Sequence, residues 1–416
     1  MLTIVKLLAK GLIILGKASL SVRAKHPNYI DPFFTFYRAP TLPCAWSGVA
    51  GQGQSPYTDQ DVKPEDGSAS QNGPGGSSSG SAVGVAAGYS PLALGTETIG
   101  SIMLPSTRAA LYAVKPTQRP NALAGVIPTT DAMDTVGPMA KCTRDIATLL
   151  DILIPSDSSF CDNLGATWSD LKVGVLEPKI WKWPQYLAPL DEVSQEQITQ
   201  EIEAANNKIS FSARKFTTVQ LESPATLQNE EGEGPFHIME ADFRDQINAY
   251  FESLEDSQVR SLKELIQFNL DHADREMPSD LGKDSQILLL RAQENTKPKA
   301  SRDELLAFLR LKSGPEGIDR VLDANNLDVI LCPADSEINI YTTLNTYRAD
   351  SYHLTVGYPS AHMPLSYLKL NGRPFGMIAI AKAGQEHILI KVMAAWERTF
   401  PPRKPPVMDS FARGRL

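Results

Sequence analysis

The sequence predicts a layered α/β fold. Short apolar runs at residues 12–15, 173–176, 327–333 and 377–381 have the length of interior strands. Longer stretches lie between and after them: residues 141–153 carry apolar side chains at helical spacing, residues 193–208 and 235–270 are acidic and mostly helical with charged outer faces, and residues 386–398 read as a closing helix. Strands that alternate with helices make a sheet covered by helices, and 42% apolar residues suffice for a large core.

In chain order, residues 3–10 read as a helix stopped by Gly11, and Leu12, Ile13, Ile14 and Leu15 as a buried strand. Lys6, Lys10 and Lys17 interrupt this apolar region, so it matches neither a membrane span nor an export signal. Residues 22–72 show little periodicity, many Pro, Gly, Ser and Gln, and an aromatic group at Phe33, Phe34, Phe36 and Tyr37. So long an irregular segment reads as a loop walling a site, with Trp46 and Tyr57 as lining candidates.

Residues 75–81, Gly-Gly-Ser-Ser-Ser-Gly-Ser, would alone resemble a flexible linker. The following Ala82, Val83, Val85, Ala86 and Ala87 instead predict a short helix over 81–88, which leaves the glycines at a helix N-terminus, where backbone N–H groups favour negative charge. Leu92 to Leu94 is apolar, and Gly95-Thr96-Glu97-Thr98-Ile99-Gly100 is expected to end the strand as a turn, with Ser101 at its close. A serine on such a turn sets its hydroxyl beside several N–H donors, as a nucleophile with an oxyanion hole requires. In residues 141–153, Ile146, Leu149, Leu150 and Leu153 face the sheet, Thr143 is the expected cap and Asp145 lies in the first turn.

The paired Gly-Gly-Ser-Ser block, the Gly-Thr-Glu-Thr-x-Gly-Ser turn, the Pro after it and the Lys-Pro-Thr that closes at Thr117 together resemble the amidase signature family of serine hydrolases, closest in motif to its fungal members. The resemblance extends through residues 125–153 and reappears at 358–382 and in the terminal Lys-Pro-Pro. It implies a three-layer α/β/α fold with a central mixed sheet, in one domain over residues 1–416: a signature core at 75–153, a variable substrate-side region at 155–325 and the C-terminal part of the core at 326–416. The length alone would favour two or three domains.

In that family the nucleophile lies twenty-four residues after a serine held by a cis peptide bond, which places these roles on Ser101 and Ser77. The resemblance further implies an oxyanion hole from the backbone N–H groups of Thr98, Ile99, Gly100 and Ser101, with Gly75, Gly76, Ser78 and Ser79 in support. The family's base is a lysine on a strand well ahead of the helix that residues 3–10 match, so its position is expected to fall before Met1. Lys6, Lys10 and Lys17 read as surface or structural, and the Ser-x-x-Lys spacings at Ser169–Lys172 and Ser366–Lys369 lie outside the Gly-rich context. Ile99 stands where many members have Gly or Asp, which is costly if that position needs positive φ, and Met103 stands where many have Arg.

The expected activity is cleavage of a carboxylic amide through an acyl-enzyme, impaired if the lysine is absent; the rival is a non-catalytic relative that binds a ligand or partner in the inherited pocket. A net charge of −8 with no Lys/Arg stripe argues against nucleic acid and membrane partners and leaves a small amide as the expected one. Four cysteines and six histidines, all scattered, indicate neither a metal site nor a disulfide framework. The expectation is a cytoplasmic protein with no cofactor.

Overall fold

The computed structural model describes residues 2–19, 44–48, 50–62, 71–118, 123–182, 190–277, 285–334, 336–343 and 357–408. Apart from a two-residue pair, Trp46–Ser47 with Gly51–Gln52, its strands are β1 Leu92–Glu97, β2 Tyr112–Lys115, β3 Thr135–Ala140, β4 Lys172–Val175, β5 Lys215–Thr218, β6 Val329–Pro333, β7 Ser360–Tyr367 and β8 Pro374–Ile380. Strands β1 to β8 form one eight-stranded sheet in the order β1-β3-β2-β7-β8-β6-β4-β5. Every pairing from β1 to β6 is antiparallel, whereas β6 with β4 and β4 with β5 are parallel, so the sheet is mixed.

Alternate residues of each strand face opposite sides, and each side carries its own core. On one side α2 Ser79–Ala86, α3 Met103–Arg108, α6 Pro235–Glu252 and α7 Lys299–Ser313 bring Val85, Leu104, Phe243 and Leu309 against Ala113, Met139, Ile330 and Ile378. On the other, α4 Thr143–Leu153, α5 Glu192–Ser210 and α8 Glu386–Thr399 bring Leu150, Ile202 and Trp396 against Val114, Leu331 and Met377. This is the expected three-layer α/β/α arrangement. The N-terminal helix α1 Leu2–Ala9 ends as expected at Gly11, whose φ is +81°.

Three local expectations are corrected. Residues 12–15 form no strand, and Ile13, Ile14 and Leu15 are exposed. A strand exists only where a neighbour completes its ladder, and among the described residues the sheet ends at β1 and β5 without pairing to this run. Gly95, Thr96 and Glu97 continue β1 instead of opening the turn, paired with Gly137, Val136 and Thr135 of β3. The missing side chain of Gly95 is what admits the strand there: a Cβ would lie 2.9 Å from Ser78 Oγ and 3.1 Å from Ile102 Cγ1. The cap of α4 falls on Cys142, and the Thr143 N–H is taken at 3.2 Å by Glu397 of α8, a partner that local sequence cannot reveal. The aromatic group at residues 33–37 lies outside the described residues.

Candidate active site

β1 delivers the chain to a short turn over residues 98–102, and α3 carries it back along the sheet. The left-handed step of the turn falls on Gly100, φ +72°; Ile99 is buried and is not among the positive-φ residues, so its branched side chain is not strained there. Ser101 and Ser77 are both half-buried. Two sets of bonds seat the segment carrying Ser77 against this turn. Ser78 N–H donates to Ser101 O at 3.1 Å, and Ser78 Oγ donates to Thr96 O while accepting Thr96 N–H, each at 3.0 Å. The Gly76–Ser77 peptide bond is cis. Gly75 has φ +69°, and a Cβ on it would stand 3.0 Å from Leu104 O and from Pro105, so the approach of the two segments needs glycine. Ser79 Oγ closes the turn from below by donating to Gly75 O at 2.6 Å.

The structure thus gathers Gly75, Gly76, Ser77, Ser78 and Ser79 beside Thr98, Ile99, Gly100 and Ser101. It also adds three charged residues that sequence reading passed over. Glu97, 1% exposed, accepts the N–H groups of Ile102 at 2.6 Å and Met103 at 3.0 Å. Its carboxyl is raised above the usual range by burial and held down in turn by the Lys115 charge and by N–H groups that include that of Gly100. Lys115, also fully buried, is pushed down to about 8 by burial against the pull of Glu97 and Glu386, and its Nζ donates to Thr342 O at 2.8 Å and Tyr358 O at 2.9 Å. Asp134 accepts the Thr98 hydroxyl at 2.5 Å and is raised to about 7, chiefly by burial. The available signal was compositional: Lys115 ends an apolar Tyr-Ala-Val strand and Glu97 closes another, and charges in such runs are rarely buried without a task. Met103 is fully buried in the core.

The remaining candidates are packed into the fold. Trp46 is buried, and the Tyr57 hydroxyl donates to Lys404 O at 2.8 Å and accepts from Arg403 Nη2 at 2.6 Å, which ties it to the C-terminal segment. Lys6 belongs to α1, which packs beside α4. A cavity of about 310 Å³ is lined by Arg108, Trp181, Pro333 and Arg373. Pro333 ends β6 and Arg373 precedes β8, and the strand directions place both at the end of the sheet opposite Glu97. Among the described residues no cluster of His, Cys, Asp and Glu could hold a metal, and no helix is long and apolar enough to cross a membrane.

A family model described as Amidase matches residues 3–390. Two curated relatives provisionally named amidases come from Arabidopsis thaliana, 27% identical over 96% of this chain, and Schizosaccharomyces pombe, 28% identical over 78% of it. The chain spans 70% of the plant relative's length and 59% of the yeast relative's. Among solved structures, the peptide amidase of Stenotrophomonas maltophilia superposes with a TM-score of 0.74 at 25% identity, covering 98% of this chain and 78% of that one.

Proposed function

Because the chain belongs to the amidase family, we propose that it cleaves a carboxylic amide C–N bond through an acyl-enzyme on Ser101. The observation that carries this is the Ser78 N–H to Ser101 O bond, which sets the Ser77 peptide against the Ser101 turn. Ser101 Oγ attacks the amide carbon as its proton passes to Ser77, which in the family pattern exchanges it with a lysine amine. The carbonyl oxygen, now an anion, is held by the N–H groups of Thr98, Ile99 and Gly100. The proton returns through Ser77 to the departing amine, and water then hydrolyses the ester to free the acid and Ser101. Glu97 accepts N–H groups of the same turn, those of Ile102 and Met103, which follow the donors assigned to the oxyanion. The substrate is a small or medium amide, with access shaped by residues 155–325. None of the four cysteines is in a disulfide, which supports a cytoplasmic location.

The test is labelling with a fluorophosphonate, read by peptide mass spectrometry, beside hydrolysis of a panel of simple amides. The adduct is expected on Ser101, and Ser101→Ala is expected to lower turnover at least roughly a hundredfold. An adduct elsewhere, or turnover untouched by the substitution, overturns the assignment. A folded chain that neither labels nor hydrolyses favours the binding-protein reading.

A further inference from the structure

The Ser101 turn is pinned at its far end by Glu97, which holds the N–H groups of Ile102 and Met103. At its near end the first residue past β1 is Thr98, and its hydroxyl donates to Asp134 Oδ1 at 2.5 Å. The other oxygen of Asp134 accepts the N–H groups of Thr129 at 2.6 Å and Thr130 at 3.0 Å, and the residue is 6% exposed. The contacts continue outward. Thr130 Oγ1 donates to Asp242 of α6 at 2.6 Å, and Arg302 of α7 clasps Asp242 through Nε at 2.8 Å and through Nη2.

We infer that Asp134 is a positioning residue for the candidate oxyanion turn: it fixes the Thr98 side chain, hence the peptide planes that aim the N–H groups of residues 98–100, and Thr130, Asp242 and Arg302 extend the same hold to α6 and α7. This rests on the reading of Ser101 as nucleophile. A carboxyl held by three donors is a rigid mount, whereas a threonine held by its backbone alone leaves the 98–99 peptide free to rock. A strand-capping role alone would satisfy the two N–H groups just before β3 and would leave no reason for the Thr98 contact across to β1. The charges that face this group are Asp131 in its own loop and, across Thr130, the Asp242–Arg302 pair. Ionised, Asp134 accepts from all three donors; protonated, it donates to Thr98 and the hold loosens.

The experiment compares the full chain with Thr98→Val, Asp134→Ala and Asp134→Asn. Hydrogen exchange of the backbone amides at 98–101, corrected for its intrinsic pH dependence, needs no turnover. Thr98→Val and Asp134→Ala are expected to speed it at least roughly tenfold, with β8 unchanged. Where hydrolysis is measurable, kcat is expected to fall roughly ten- to a hundredfold with KM within about twofold. Asp134→Asn keeps two acceptor sites for Thr129 and Thr130 but, like the protonated acid, only donates to Thr98, so it is expected to hold exchange at the faster rate wild type shows below about pH 7 and to abolish the change that wild type shows as pH crosses about 7. Unchanged exchange at 98–101 in folded Thr98→Val and Asp134→Ala, or a pH response retained by Asp134→Asn, overturns the proposal. An exchange response in a chain whose Ser101 proves inert supports the brace and sinks the nucleophile reading alone.

Discussion

Glu97 and Lys115 are the residues whose cost must be met within the site itself. Both are fully buried, and each charge is tolerated because the other is near and because backbone groups complete the hydrogen bonding. Removing Lys115 would expose this dependence: Lys115→Met strands the carbonyls of Thr342 and Tyr358 and leaves Glu97 without its cation, at an expected cost of roughly 3 kcal/mol. Adding Glu97→Gln should recover part of that loss, a coupling that denaturant titration of the four-member cycle would measure. The two serines were legible because a fixed spacing and a Gly-rich setting mark them in one dimension. Glu97, Lys115 and Asp134 were not, since their meaning lies in partners that only the folded sheet supplies, such as the Thr98 hydroxyl thirty-six residues from Asp134.

At the scale of elements, β1 and β3 depend on the glycines that face each other at Gly95 and Gly137. A Cβ on Gly137 would sit 2.1 Å from Val114 O, a backbone atom of β2 that cannot move aside. Gly137→Ala is therefore expected to destabilise the chain by roughly 3 kcal/mol, and thermal unfolding would show it. Helix α4 was readable from its periodicity, and α5 and α8 as helical segments, because a helix carries its hydrogen bonds within itself. Strands carry theirs across to a neighbour. Residues 95–97 joined a strand because β3 was there to pair with them, and residues 12–15 did not because, among the described residues, no partner flanks them.

For the whole molecule, Asp134 sets a measurable pH dependence. Its pKa is raised from 3.8 to about 7, so between these values the folded chain keeps a proton that the unfolded chain has released. Stability is then greatest below about pH 4, falls as pH rises to about 7, and levels off, a change on the order of 4 kcal/mol from this group. Asp134→Asn should flatten that fall, as chemical denaturation near pH 5 and pH 8 would record. The layered architecture was legible in the sequence, whereas the strand order was not, because β7 and β8, which come last in the chain, insert at the centre of the sheet. Until they do, β1-β3-β2 and β6-β4-β5 share no strand, and the inner edges of β2 and β6 stand open. The growing chain on a ribosome therefore carries two half-sheets that wait, sticky-edged, for a closing hairpin, and a message cut before Ser360 would yield a chain destined for chaperones and degradation and not for a smaller enzyme.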